Sequence, residues 1–211
     1  MASNYTDDWK KRPEPIKKKV IMCGETRCEE GRHSFKTNMR KKAARLEKKT
    51  YRNGSCICCN EEFDIDWKRI DNRDLGDVKY LVSKLKLEAV RYDFWEIPVE
   101  EKDFDTAKKK GLLLLRKEIR KRVEKALAPP SHKIYQDGRQ TPKSGNIIYY
   151  AQYAMATCCR KCVEEWHGID RKKQLKKKDI EYISGLILYY IKKRFPTIKE
   201  EGLLEEPIIK R

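Results

Sequence analysis

Cys159 and Cys162 stand with two residues between them, and His167 closes the same short stretch, Asn146 to Ile169, which reads NIIYYAQYAMATCCRKCVEEWHGI. Thiolate sulfur and imidazole nitrogen are the donors that a borderline-soft ion such as zinc accepts, so Cys159, Cys162 and His167 form one candidate ligand set. A second set lies upstream. Pairing Cys23 and Cys28 with Cys56 and Cys59 makes a four-thiolate zinc site, and His33 stands close enough in sequence to replace one of the thiols. Apolar burial is the competing fate of each sulfur. In the later stretch that alternative is a pair of thiols packed beside Trp166, with His167 hydrogen-bonded at a helix end that Gly168 terminates.

The expected cofactor is therefore zinc. No apolar segment follows the first basic residues, MASNYTDDWKKRP, and there is no run of about 18 apolar residues, so the chain reads as cytoplasmic, with no membrane partner. Reduced, close-set cysteines in that compartment act as metal ligands rather than as a disulfide framework. Fifty Lys and Arg against 33 Asp and Glu leave a formal charge of +17, which points to a polyanionic partner, nucleic acid before an acidic protein. A lysine-decorated surface with no partner is the plainer reading of the same charge.

Rigid elements must bring these ligands together, and the periodicity supplies them as helices. Residues 36–49 place Met39, Ala43 and Leu46 on one side and Lys41, Lys42 and Arg45 among the basic residues around them. Downstream, Asp74 caps a helix whose stripe is Leu75, Val78, Val82, Leu85 and Ala89 and which ends before Pro98. A third runs from about Phe104 to Leu127, with Gly111 as its weak point and Pro129 and Pro130 as its stop. Its apolar face is Leu112, Leu115, Ile119, Val123 and Ala126, and its other face, with Lys117 and Lys121, is a candidate phosphate-contacting ridge. A last helix carries Ile180, Ile183, Ile187, Tyr190 and Ile191 and stops before Pro196. Strand alternation is absent except around Ile147 to Tyr150. The expected class is mainly α: small zinc-pinned helical domains with short irregular or minor β segments. The expected divisions are a basic arm over 1–20, a Cys-rich helical region over 21–100, a second helical domain over 101–196 and a tail over 197–211.

Between Ser131 and Gly145 the turn residues Gly138, Pro142 and Gly145 make a loop that delivers Asp137, Arg139, Gln140 and Thr141 just ahead of the cysteine stretch. The loop DGRQTP at 137–142, the run GNIIYYAQYAMATCCRKCVEEWHGI at 145–169 and the closing helix at 179–194 resemble the prokaryotic domain family DUF4186 over roughly residues 105–195. The resemblance implies a DG(K/R)QTP loop, an AQHATATCCRxC core and a WHGI ending. This chain departs from that pattern at two places, with Tyr153 where a histidine follows AQ and Asn146 where a histidine often follows the loop glycine. In the family the first of those histidines would complete a two-cysteine, two-histidine site with the positions of Cys159, Cys162 and His167. Here the fourth ligand falls to Cys158, to a distant residue such as His132, or to water.

Two functions follow from these residues. The leading expectation is a zinc-binding, nucleic-acid-binding protein whose Lys41, Lys42, Arg45, Lys117 and Lys121 touch phosphates while Arg139, Gln140 and Tyr149 make more selective contacts. The alternative is a metal-dependent hydrolase or nuclease with an open coordination position for water and Asp137, His132 or Glu165 as base.

Overall fold

The structure is a computed structural model that describes residues 23–35 and 54–203. The expected arm, the helix expected over 36–49 with its Lys41, Lys42 and Arg45, and most of the tail lie outside the described residues.

The fold is mostly helical. Among the described residues there are seven α-helices: α1 Trp67–Asp71, α2 Val78–Leu85, α3 Ala89–Glu96, α4 Glu101–Ala126, α5 Ile147–Ala154, α6 Arg160–His167 and α7 Lys177–Arg194. Extended backbone pairs only in isolated bridges there, as between Ser55 and Glu62. The stripe expected to continue from Leu75 to Ala89 is divided: Asp74 caps a short 3-10 turn, α2 ends at Leu85, and α3 starts afresh at Ala89. The break has a partner. His33 donates its backbone N–H to Leu87 O and accepts from Ala89 N, so the gap between the helices is where the N-terminal segment pairs with the helical body.

Ile147 to Tyr150, the one stretch with a strand-like pattern, is the first half of α5. Asn146 caps it by accepting from Ile148 N at 2.9 Å, and the helix packs between α3 and α7, so Ile147, Ile148, Tyr150, Ala151, Tyr153 and Ala154 are all buried. Helical capping and burial on both sides override a β-leaning composition here. α4 also packs along α7. Its apolar face, Leu112, Leu115, Ile119 and Val123, is buried as the periodicity requires. At Gly111 the chain leaves helical geometry (φ 70°, ψ 170°), and the segment after α7 fills the gap: Leu112 N donates to Lys199 O and Leu113 N to Glu200 O. One continuous apolar core results, running from Phe35 to Ile198.

Candidate metal centres

A tight hairpin builds the first site. Ser55 pairs with Glu62, Phe63 N donates to Gly54 O, and Cys56 N donates to Glu61 O, so Cys56 and Cys59 occupy the turn between. Gly54 is required at the base, because at φ 75° an added Cβ would fall on the Phe63 carbonyl. A second turn faces it. Arg27 pairs with Arg32 around the 3-10 turn Cys28–Glu30, which Gly31 closes at φ 66°. Ile57 N donates to Ser34 O and ties the two turns together.

Cys28, His33, Cys56 and Cys59 thus bring four ligand atoms within 4.8 Å of one another, and they could hold a metal ion. Cys28 Sγ lies 3.8 Å from Cys56 Sγ, and Cys59 Sγ lies 3.6 Å from His33 Nδ1. Those are the edges of one particular solid. A tetrahedral zinc bound at about 2.3 Å to sulfur and about 2.0–2.1 Å to nitrogen spaces its sulfurs about 3.8 Å apart, and each sulfur about 3.6 Å from the nitrogen. The other ring nitrogen of His33, Nε2, looks toward Glu61 Oε2 at 3.7 Å, the outer partner that orients a ligating imidazole. Cys58 N points at Cys56 Sγ at 3.4 Å. Burial raises the Cys56 thiol, but hydrogen bonds from the backbone of Ser34, Cys59 and Cys58 outweigh it and bring the group down into the thiolate range. Cys28 moves the other way, raised by burial and by its sulfur neighbours Cys59 and Cys56.

Cys23 does not join this set. It reaches instead to the junction of α5 and α6, where Cys23, Cys158 and Cys162 bring three sulfurs within 4.8 Å of one another. Cys158 and Cys162 are buried, and contact with Cys159 is the leading cause that holds the Cys158 thiol well above the ordinary range. Arg91, on α3, lies against two of these sulfurs, is salt-bridged to Glu88 at 2.9 Å and is also buried. Desolvation alone would lower the Arg91 guanidinium, but its acidic surroundings, with Cys162 and Glu88 foremost, hold it well above its ordinary value.

Cys159 borders the second set, and the structure does not bring His167 to it. Cys159 is the N-cap of α6, with its thiol beside Cys158 and Cys162. His167 is fully buried with both ring nitrogens engaged, Nδ1 with the Tyr182 hydroxyl and Nε2 with the Met155 carbonyl, each at 3.0 Å. Tyr153 stacks on Phe94 and gives its hydroxyl to Thr141 O at 2.7 Å.

The DGRQTP loop is a brace. Asp137 Oδ1 accepts from Arg160 N at 3.1 Å, at the start of α6, and from Gln140 Nε2 at 2.8 Å, while Gln140 Oε1 accepts from Gly138 N. Thr141 Oγ1 donates to Cys158 O at 2.7 Å, and Arg122 reaches across from α4 to Gln140 O at 2.6 Å. The loop therefore fixes the backbone of the cysteine stretch. Gln140 is spent inside it, Arg139 is exposed, and Tyr149 lies half-buried under the Arg122 guanidinium. Neither metal-competent group includes Asp137, His132 or Glu165. Lys117 and Lys121 stand exposed on α4.

Arg91, Glu88 and Glu61 are absent from the ligand spacing read in the sequence. Arg91 had only a weak signal: a guanidinium next to Ala89 and Val90 and close to Phe94 and Trp95 is a candidate buried charge, but Asp93 in the same run is as plain a partner in sequence. Glu61 had none, because only the hairpin brings it back to His33.

A family model described as Domain of unknown function (DUF4186) matches residues 79–192, just over half of the chain. The match takes in Arg91, Cys158 and Cys162 and leaves Cys23, Cys28, His33, Cys56 and Cys59 upstream of it. No solved structure matches the chain significantly.

Proposed function

The chain belongs to the DUF4186 family, and from that starting point we propose that it is a zinc-stabilised nucleic-acid-binding protein, the zinc being held by Cys28, His33, Cys56 and Cys59. The donor chemistry supports zinc over a harder ion, since three thiols and an imidazole suit a borderline-soft cation and offer nothing to magnesium or calcium. Four protein ligands close a tetrahedral shell. The ion's role is then structural, fixing the two turns against the break between α2 and α3.

The polyanion half of the proposal is carried by one row of side chains. Lys117, Lys121 and Lys125 recur at four-residue spacing along the exposed face of α4, and none of them forms an ion pair among the described residues. Three other cations of this helix are matched: Lys110 with Glu118, Arg120 with Glu124, Arg116 with Glu200. An unmatched row on a rigid helix, in a chain of net charge +17, has the form of a phosphate-tracking ridge. Lys41, Lys42 and Arg45 are proposed to add to it, as is Arg139, exposed in the loop, through contacts to a base or sugar.

Fluorescence anisotropy with short labelled DNA and RNA, repeated from low to physiological salt, tests this reading. Affinity should fall steeply with salt, and replacing Lys117 and Lys121 together by Gln should reduce the slope of log K against log salt by about two. A binding constant that ignores salt, or no binding to either polymer, would overturn it.

A further inference from the structure

The sulfur cluster at the α5–α6 junction has a cation aimed at it. Arg91 Nη2 donates to Cys162 Sγ at 3.2 Å and Nη1 points at Cys158 Sγ at 3.7 Å, while Nη1 also donates to Tyr153 O at 2.8 Å and Nε to Glu88 Oε2 at 2.9 Å. Arg91 is 1% exposed. Glu88 does not belong to the guanidinium alone, because it also accepts from Trp166 Nε1 at 3.0 Å and from Phe35 N at 3.3 Å. A neutral thiol is a weak acceptor, whereas a thiolate is a charged one. A buried guanidinium with its terminal nitrogens on two sulfurs of one three-sulfur cluster suits the thiolates that a metal ion would create there by displacing their protons.

We infer that Cys23, Cys158 and Cys162 are the ligands of a second metal centre, separate from the first, which takes a soft divalent ion such as zinc through three thiolates with Arg91 as its outer-shell cation. Three thiolates and a divalent ion leave one negative charge, toward which the guanidinium is turned, and the further charge of Glu88 is met by Arg91 Nε together with Trp166 Nε1 and Phe35 N. Glu88, with its own donors, holds the guanidinium in place, the outer-partner arrangement found around metal ligands generally.

The position of Cys23 gives the centre a task. Cys158 and Cys162 lie within the family match and Cys23 lies upstream of it, so this ion would staple the N-terminal segment onto the helical body. Five positions further on, Cys28 enters the first site, so one short segment is held at two places by two ions.

The test is a cobalt(II) titration of the full chain, read by sulfur-to-cobalt charge-transfer absorption, and it does not depend on nucleic-acid binding. Two equivalents should bind to the native chain. Cys23→Ser should lose one and keep an ion with mixed sulfur and nitrogen character, whereas Cys59→Ser should keep one whose protein ligands are all sulfur. A native chain that takes up a single equivalent, or a Cys23→Ser variant that still takes two, would overturn the assignment. The count on the native chain decides the matter even if a variant fails to fold. A native chain whose one equivalent is lost in Cys59→Ser and retained in Cys23→Ser would leave the first site standing and remove the second.

Discussion

His33 turns its two ring nitrogens to different tasks, Nδ1 toward the sulfurs and Nε2 toward Glu61, and that division makes a histidine a directed ligand instead of a buried aromatic. Glu61→Gln removes the orienting charge while leaving all four ligands, so zinc affinity should fall by about tenfold, measured by competition with a chromophoric chelator. Asp137 illustrates the opposite case, a carboxylate with a catalytic look whose bonds are structural. Asp137→Ala should cost about 1–2 kcal/mol in urea unfolding, because it strips a partner from the first N–H of α6. At this scale the sequence was informative where ligands are local: Cys56 and Cys59 share one turn, and their spacing announced it. It could not say where Cys23 and Cys28 go. A turn between them sends one to each sulfur cluster, and the direction is set by contacts distant in sequence, among them Arg27 with Asp93 and the backbone of His33 with Leu87 and Ala89. For His167 the alternative reading was the right one, a hydrogen-bonded residue at the helix end that Gly168 closes, although its partner Tyr182, on another helix, could not be named.

Helices were the most legible elements, because α4 and α7 each bury a stripe that recurs every three or four residues. The gap between α2 and α3 was hidden, since the apolar stripe runs through it and the cause, backbone pairing with His33, lies more than fifty positions away. Gly111 was readable as a weak point of α4, but not as the place where the segment after α7 enters. An added Cβ there would fall on the backbone of Glu201 and Gly202, so Gly111→Ala should destabilise by about 2–4 kcal/mol, measured by thermal or urea unfolding. The same contact depends on pH. Glu200 is paired with Arg116 and Lys192, and chiefly the Arg116 hydrogen bond holds its carboxyl below the usual range. A depressed carboxyl stabilises the folded form fully above its ordinary value and stops doing so as pH falls through the lowered one. Hydrogen exchange at Leu112 and Leu113, corrected for the intrinsic rate, should therefore lose protection on acidification below the ordinary carboxylate range, and Glu200→Gln should abolish that dependence.

Across the described residues one apolar core extends from Phe35 to Ile198, with sulfur-lined candidate sites where the N-terminal segment meets it. The mainly helical class and the family membership were both readable in the sequence, the class from periodicity and the family from the DGRQTP loop and the cysteine run. The arrangement of the metal groups was not, because it is settled by which segments meet in space. Structural zinc contributes roughly 10–16 kcal/mol in small domains, comparable to a whole domain's net stability of about 5–15 kcal/mol. Chelation should accordingly expose the amides of residues 27–33 and 54–63 to hydrogen exchange, while α4 and α7, packed on each other, remain protected. The most direct measurement is X-ray absorption at the zinc edge on the zinc-loaded Cys23→Ser chain. Zinc on Cys28, His33, Cys56 and Cys59 requires three sulfurs at about 2.3 Å and one nitrogen at about 2.0–2.1 Å, and that shell is the expected result. An oxygen-dominated shell, or a chain that retains no stoichiometric zinc, would contradict it.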